Sequence, residues 1–193
     1  MRIITGIARG TRLETLEGEA TRPTAERVKE ALFSMIQFDL EDTTFLDLFA
    51  GSGQMGLEAL SRGAAKAVLV DSSADASAIV KKNAQKTRLF EKCRVLTMDY
   101  KDYIRSARGK YKFDFIFADP PYALGLWDDV AKKISENGIL AENGLLICES
   151  DDPEPFKDSS NTATYEVVKQ SKYGKIYITL LKHKSSGKVC DDE

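Results

Sequence analysis

From Thr44 onward the chain alternates short apolar runs with helix-length segments, and this alternation narrows the possible folds more than any other feature. The apolar runs fall at 45–49, 67–70, 93–98, 113–118 and 144–148, and helical or polar stretches lie near 54–62, 74–87, 100–107 and 127–137. Strands apolar on both faces need cover on both sides, and strand–helix–strand units set successive strands parallel. The spacing therefore predicts an α/β protein with a mostly parallel sheet between helices. The end breaks the rhythm: Thr164–Ser171 and Lys175–Lys182, joined by Lys172-Tyr173-Gly174, read as an antiparallel hairpin. Before Thr44, residues 2–16 alternate loosely around Gly6 and Gly10, as a small β-hairpin or arm does. Pro23 then opens a helix with Val28, Ala31, Leu32, Met35 and Ile36 at the spacing of one buried face. The expected organisation is an arm over 1–20, one domain over 21–183 and a polar tail over 184–193.

The chain's 193 residues suffice for one domain with a full core, and 42% hydrophobic with 30% charged residues is ordinary for a soluble protein. No apolar run approaches the ~20 residues of a membrane span, and the first residues lack the apolar segment of a signal peptide. Cys93, Cys148 and Cys190 are too few and too widely spaced for a disulfide framework or a zinc site. A cytoplasmic, reduced, metal-free protein is expected. A net charge of −2 gives no global pull toward nucleic acid, so any such binding needs a local patch. Arg2, Arg9 and Arg12 open the chain with no acid among them, and Lys169, Lys172, Lys175, Lys182, Lys184 and Lys188 run near its end.

Phe45–Gly56 is a strand running into a glycine turn and then a helix. Gly51, Gly53 and Gly56 satisfy G-x-G-x-x-G, and Asp71 ends the next strand about twenty residues on, as a dinucleotide fold requires. Three carboxylates argue for a different ligand. Asp47 lies inside the first strand just before the turn, where a pyrophosphate would be repelled and a cationic amino-acid group favoured. Asp99 ends the third strand, and Asp119-Pro120-Pro121-Tyr122 ends the fourth, all on the carboxyl edge where such sheets bind ligands. A ligand with an amino-acid end, a ribose and an adenine fits that edge: S-adenosylmethionine. Asp71 and Asp99 also precede helices and could cap them, with Asp102 the competing cap beside Asp99. Asp47, followed by Leu48 and Phe49, is hard to explain as a cap.

Asp-Pro-Pro-Tyr after a buried strand suits methylation of an exocyclic amine on a planar base. Such a nitrogen is a poor nucleophile because its lone pair is delocalised into the ring. Two fixed acceptors, the Asp119 carboxylate and the Pro120 carbonyl, could take its N–H bonds and draw it toward tetrahedral geometry. Pro120 and Pro121 have locked φ and hold the acceptors still, while Tyr122 offers a face for stacking. His183, at the end of the last strand, reads as a surface residue. Trp127 reads as packing beneath its helix rather than as a lid.

Asp47-Leu48-Phe49-Ala50-Gly51-Ser52-Gly53 with Gly56–Ala64 resembles the bacterial small-subunit ribosomal RNA guanine-N2 methyltransferases, the RsmD group. The similarity extends to Met1-Arg2-Ile3-Ile4 with Gly10, to Arg22-Pro23-Thr24 leading into Arg27–Phe33, to Asp119–Tyr122 and to Lys172-Tyr173-Gly174. It implies a class I methyltransferase fold: a Rossmann-like seven-stranded sheet closed by the antiparallel hairpin. It implies Asp47 near the cofactor's amino group, Phe49, Ala50, Gly51, Ser52 and Gly53 around its methionine, and Asp71 with Ser72 at the ribose. Asp99 and Tyr100 would border the adenine, and Asp119 to Tyr122 would grip the guanine. The family more often has Glu at position 71, and a smaller, more apolar pair in place of Gln54-Met55.

A base inside a duplex cannot present its amine to a pocket, so the target is flipped out or already unpaired. Arg2, Arg9, Arg12, Arg22, Thr24 and Arg27 are the candidate RNA contacts, positioning phosphates without reading sequence. With no second domain to read a long sequence, a monomer acting on a partly or fully assembled small ribosomal subunit is expected. The alternatives are an adenine-N6 or cytosine-N4 DNA methyltransferase, an NAD-dependent oxidoreductase, and a non-catalytic RNA-binding assembly factor that keeps the cofactor fold.

Overall fold

A computed structural model describes residues 1–16 and 23–184, with the side chains of 23–25 left aside. The strands are β1 (Thr44–Asp47), β2 (Lys66–Asp71), β3 (Cys93–Thr97), β4 (Phe113–Ala118), β5 (Leu140–Ser150), β6 (Tyr165–Tyr173) and β7 (Ile176–His183). They form one seven-stranded sheet in the order β3-β2-β1-β4-β5-β7-β6. Every pair from β3 to β5 is parallel, and β7 pairs antiparallel with both β5 and β6. This is the class I methyltransferase sheet. The strand order reverses between β1 and β4, and at such a switch point the carboxyl edge opens into a crevice.

The helices are α1 (Pro23–Ile36), α2 (Gln54–Ser61), α3 (Ala74–Lys86), α4 (Tyr100–Ala107), α5 (Trp127–Asn137) and α6 (Ser159–Thr164). One core gathers α1, α2 and α3 against Phe45, Phe115, Phe117, Ile147 and Ile178; the other gathers α4 and α5 against Leu46, Ile116, Leu146 and Cys148. Successive strand residues thus feed opposite cores, which is why the strands read as continuous apolar runs.

Three details differ from the sequence pattern. Strand β5 starts at Leu140, because Asn143-Gly144 interrupts the apolar run without ending the strand. The last hairpin turns at Gly174-Lys175, with Lys172 and Tyr173 still paired to Tyr177 and Ile176. Helix α6, Ser-Ser-Asn-Thr-Ala-Thr, has the composition of a turn. Asp158 caps its first turn, and Asn161 Nδ2 donates to the Asp128 carbonyl. Arg22, the expected boundary near residue 20 and residues 185–193 of the expected tail lie outside the described residues. Lys184 is held, its N–H donating to the Thr164 carbonyl at 2.9 Å and its Nζ to that of Thr162 at 2.7 Å.

Candidate active site

The ladder pairs Asp47 with Phe117 and Phe117 with Ile147, across three neighbouring parallel strands. Side chains alternate along a strand, so Asp119 and Glu149, each two residues further on, continue the face on which Asp47 lies. Three carboxyl groups from β1, β4 and β5 therefore gather at one end of one sheet face. Asp47 is 1% exposed, and among the described residues no donor meets either of its oxygens in good hydrogen-bond geometry, the Phe49 and Gly56 amides only pointing toward it. Burial pushes its carboxyl up to about 7, against the pull of the Phe49 and Gly56 amides, with Asp119 and Asp71 adding repulsion. A buried carboxyl so poorly satisfied is costly unless a donor arrives. A cationic ammonium is such a donor.

Beside it the glycine turn is tied down on both sides. The Gly51 N–H donates to Asp71 Oδ2 at 2.8 Å, and the Ser73 N–H donates to Asp71 Oδ1 at 2.8 Å. Ser73, not Asp71, caps α3, its hydroxyl accepting from the Ala76 N–H. Each Asp71 oxygen keeps lone-pair capacity for a further donor, such as a ribose hydroxyl. Ser72 is exposed at the same strand end. Gly53 has φ 77, and a Cβ there would lie 2.9 Å from Val80, so only glycine allows this close turn into α2. Ala50 and Ser52 are buried beneath the turn, and Phe49 is half-buried with its ring 5.2 Å from that of Tyr100.

Asp99 caps α4, its Oδ1 accepting the Lys101 N–H at 2.8 Å; Asp102 pairs with Arg105 instead. Tyr100 is 6% exposed, and its hydroxyl donates to Asp129 Oδ2 at 2.6 Å, fixing the ring as a wall against Phe49. Across the crevice Asp119 is half-buried and Pro120 buried, while Pro121 and Tyr122 face solvent. Partial burial and the Asp119, Glu149 and Asp151 carboxylates raise the Tyr122 phenol, so it remains a donor. Its hydroxyl makes a long 3.5 Å contact to Glu149 Oε1. Trp127 is buried at the start of α5 and packs in the core. His183 is the last residue of β7, at the end that faces away from this crevice, and stacks on Tyr165 at 4.8 Å.

The first thirteen residues form a small hairpin: Arg2 bridges Arg12, and Ile3 exchanges bonds with Gly10 and Thr11. Arg2, Arg9 and Arg27 line a groove of about 420 Å³ with Glu26 and Glu30, and Arg12 lies beside Arg2 and Met1. Met1 Sδ accepts from the Ser52 hydroxyl at 3.5 Å, so the arm reaches the glycine turn. Lys182 on the last hairpin is paired with Glu166 at 3.1 Å.

A family model described as "Conserved hypothetical protein 95" matches residues 1–182. Ribosomal RNA small subunit methyltransferase D of Haemophilus influenzae is 33% identical over 190 residues, covering 98% of this chain and 90% of that one. The chain belongs to this family, the RsmD group. A second relative, the putative rRNA methyltransferase YlbH of Bacillus subtilis, is 37% identical over 152 residues, 78% of this chain and 83% of that protein. The solved putative methyltransferase yhhF from Escherichia coli superposes with a TM-score of 0.82 at 32% identity, covering 95% of this chain and 98% of that one.

In this RsmD-group chain the structure adds residues that the sequence pattern did not single out. Glu58 of α2 is fully buried and accepts the Ile4 N–H at 2.8 Å, the Thr5 N–H at 3.0 Å and Arg62 Nε at 2.7 Å. Lys29 of α1, 1% exposed, donates to the Arg2 carbonyl at 2.7 Å and lies 3.8 Å from Glu58. Asn83 of α3, fully buried, joins the Glu14 backbone to the Ser52 carbonyl at 2.9 Å. Gly6 is backed so closely against the Ser61 carbonyl that a Cβ would lie 1.7 Å from it. The arm that carries the arginines is thereby fastened to the helix that follows the glycine turn.

Proposed function

We propose that this chain transfers a methyl group from S-adenosylmethionine to the exocyclic N2 amine of a guanine in small-subunit ribosomal RNA. The observation that carries the reading is the placement of a buried Asp47 carboxyl, poorly satisfied among the described residues, beside the glycine turn and on the same sheet face as the Asp-Pro-Pro-Tyr strand end. That carboxyl fits the cofactor's ammonium, and the tied-down glycine turn and Asp71 fit its methionine and ribose. Phe49 and Tyr100, with Asp99, form the wall suited to its adenine. The RsmD-group relatives are named as ribosomal RNA methyltransferases, which supports RNA over DNA as substrate.

When bound, the cofactor supplies an electrophilic methyl on a sulfonium. The chain's own residues do the rest. The Asp119 carboxylate and Pro120 carbonyl accept the two amine N–H bonds, orient the nitrogen and localise its lone pair. Tyr122, exposed at the crevice mouth, stacks on the base. Attack leaves an acidic ammonium that loses its proton to water or through Asp119, so no histidine is required. Arg2, Arg9, Arg12 and Arg27, with Arg22 and Thr24, hold flanking phosphates. One compact domain with a short arm reads shape more than sequence. The proposal extends to a monomer acting in the cytoplasm on a partly or fully assembled small subunit.

The test is transfer of labelled methyl to small subunits lacking their native methyl groups, with Asp119→Ala as comparison. Label on one guanine N2, reduced about 10²–10³-fold by the variant, supports the reading. Label on no ribosomal RNA base, or on adenine or cytosine, overturns it.

A further inference from the structure

Glu149 has no role in the chemistry above, yet it sits where that chemistry takes place. It follows Cys148, the ladder partner of Ala118, so Glu149 and Asp119 occupy equivalent positions at the carboxyl ends of adjacent parallel strands. On its other side it pairs with Ile178 of β7, whose apolar side chain offers no donor. Among the described residues, its side chain's one hydrogen bond is the 3.5 Å contact from the Tyr122 hydroxyl to Oε1. A half-buried carboxyl so weakly satisfied is an acceptor waiting for a donor. Burial raises it to about 7, with the Tyr122 hydroxyl pulling it back and Asp47 adding repulsion.

The bases differ in what lies beside the reactive amine. Adenine and cytosine carry a ring nitrogen lone pair next to theirs, whereas guanine carries the N1–H next to N2. Guanine thus presents three N–H bonds in a row, and this crevice edge presents acceptors in a row: Glu149, Asp119 and the Pro120 carbonyl. We propose that Glu149 accepts the N1–H of the target guanine and so selects guanine against bases with a lone pair at that position. The proposal rests on the guanine-N2 reading and names the residue that would enforce it. Against adenine or cytosine the ionised Glu149 carboxylate would face a ring lone pair and remain without a donor, so the selection belongs to its charged form and is read at pH 8 or above. Sites built to hydrogen-bond a donor reject analogues lacking it strongly for this reason.

The probe is 2-aminopurine, which keeps the exocyclic amine of guanine but has a lone pair at N1. Small subunits are reconstituted with guanine or 2-aminopurine at the labelled position, and kcat/KM is measured for wild type and Glu149→Gln. Wild type should prefer guanine by about 100-fold or more. Glu149→Gln is nearly isosteric, keeps an oxygen for the Tyr122 hydroxyl and gains an N–H that can meet N1 of 2-aminopurine. It should lose about 10–100-fold on guanine with no loss on 2-aminopurine, collapsing the preference. Glu149→Asp, which keeps the charge but retracts the carboxyl, should lose rate on guanine alone and serves if the amide variant folds poorly. Equal losses on both bases, or a wild type indifferent to the two, would overturn the proposal. A wild type that labels some base other than guanine overturns the underlying reading instead, and shows this before any variant is made.

Discussion

Gly51 donates its backbone N–H to the Asp71 carboxylate at 2.8 Å, so the end of β2 holds the turn that leaves β1. The same carboxylate takes the Ser73 N–H, which fixes its rotamer. Asp71 therefore shapes the glycine turn, and in the proposed reading it also faces the ribose. Asp71→Ala should weaken S-adenosylmethionine binding about 10–100-fold by calorimetry. It should also lower unfolding free energy by about 1–3 kcal/mol, the worth of hydrogen bonds to a charged acceptor. Asp71→Asn, which keeps one acceptor oxygen, should fall between. Reduced stability with unchanged cofactor affinity would mean that Asp71 is only a clasp.

Asp47 sets opposite pH trends for the free and the loaded protein. Its carboxyl is raised to about 7 from an ordinary value of 3.8, mainly by burial. Between these values the folded chain binds a proton that the unfolded chain has lost. Asp47 therefore makes the free protein less stable as pH rises from about 4 to 7, with no further change above. An ammonium ligand needs the charged carboxylate, so affinity should instead strengthen, roughly tenfold from pH 6 to pH 8. Asn titrates in neither state. Asp47→Asn should bind S-adenosylmethionine weakly with a flatter pH profile, and its stability relative to wild type should rise across the same interval. Parallel affinity profiles for the two proteins would remove Asp47 from the ammonium site.

The sheet was legible because each strand is buried on both faces, so its apolar run stands out against the polar segments beside it. Asp47 was legible for the opposite reason, as a charge inside such a run. Asp99 carried two meanings that sequence could not separate, since a strand-end Asp before a helix suits a cap and a ligand contact alike. The structure shows the cap. Glu149 was hidden because a polar residue closing an apolar run is what any strand end looks like. Only the register with β4 puts it beside Asp119. Lys29, Glu58 and Asn83 were unreadable because their partners lie 27, 54 and 69 residues away along the chain. Within their own helices they look like solvent-facing polar residues.

RNA affinity should depend on salt through the arm. Arg2, Arg9, Arg12 and Arg27 are exposed and share one end of the molecule. Each alanine substitution should lower the slope of log affinity against log salt by about 0.7–0.9, as loss of one phosphate contact does. Glu26 lies 3.7 Å from Arg2 in the same groove, an exposed pair of little worth to stability. Glu26→Gln should therefore tighten RNA binding severalfold and leave folding unchanged. Fluorescence anisotropy across a salt series measures both, and slopes unaltered in all four arginine variants would place the RNA elsewhere.

Glu58 and Lys29 give the arm its hold on the cofactor side of the fold, and their burial makes the pair asymmetric to mutation. Lys29 is lowered by desolvation, with Glu58 and Glu26 pulling it back up, so its charge depends on company. Glu58→Ala strands the ammonium and also frees the Ile4 and Thr5 amides. It should cost about 3–5 kcal/mol in urea denaturation. Lys29→Met alone removes the buried cation but leaves Glu58 its amides and Arg62, and should cost less. In the double variant Lys29→Met with Glu58→Met, the buried ammonium goes together with its partner, and Arg62 alone loses its carboxylate while keeping its place over the Phe33 ring. The double variant's cost should be smaller than that of Glu58→Ala alone, a non-additivity that marks coupled buried charges. RNA affinity in the double variant should still fall, because the two arm amides lose their acceptor and the arginines lose their fixed mount. A double variant that restores stability and RNA affinity together would show that the arm holds its place without the network.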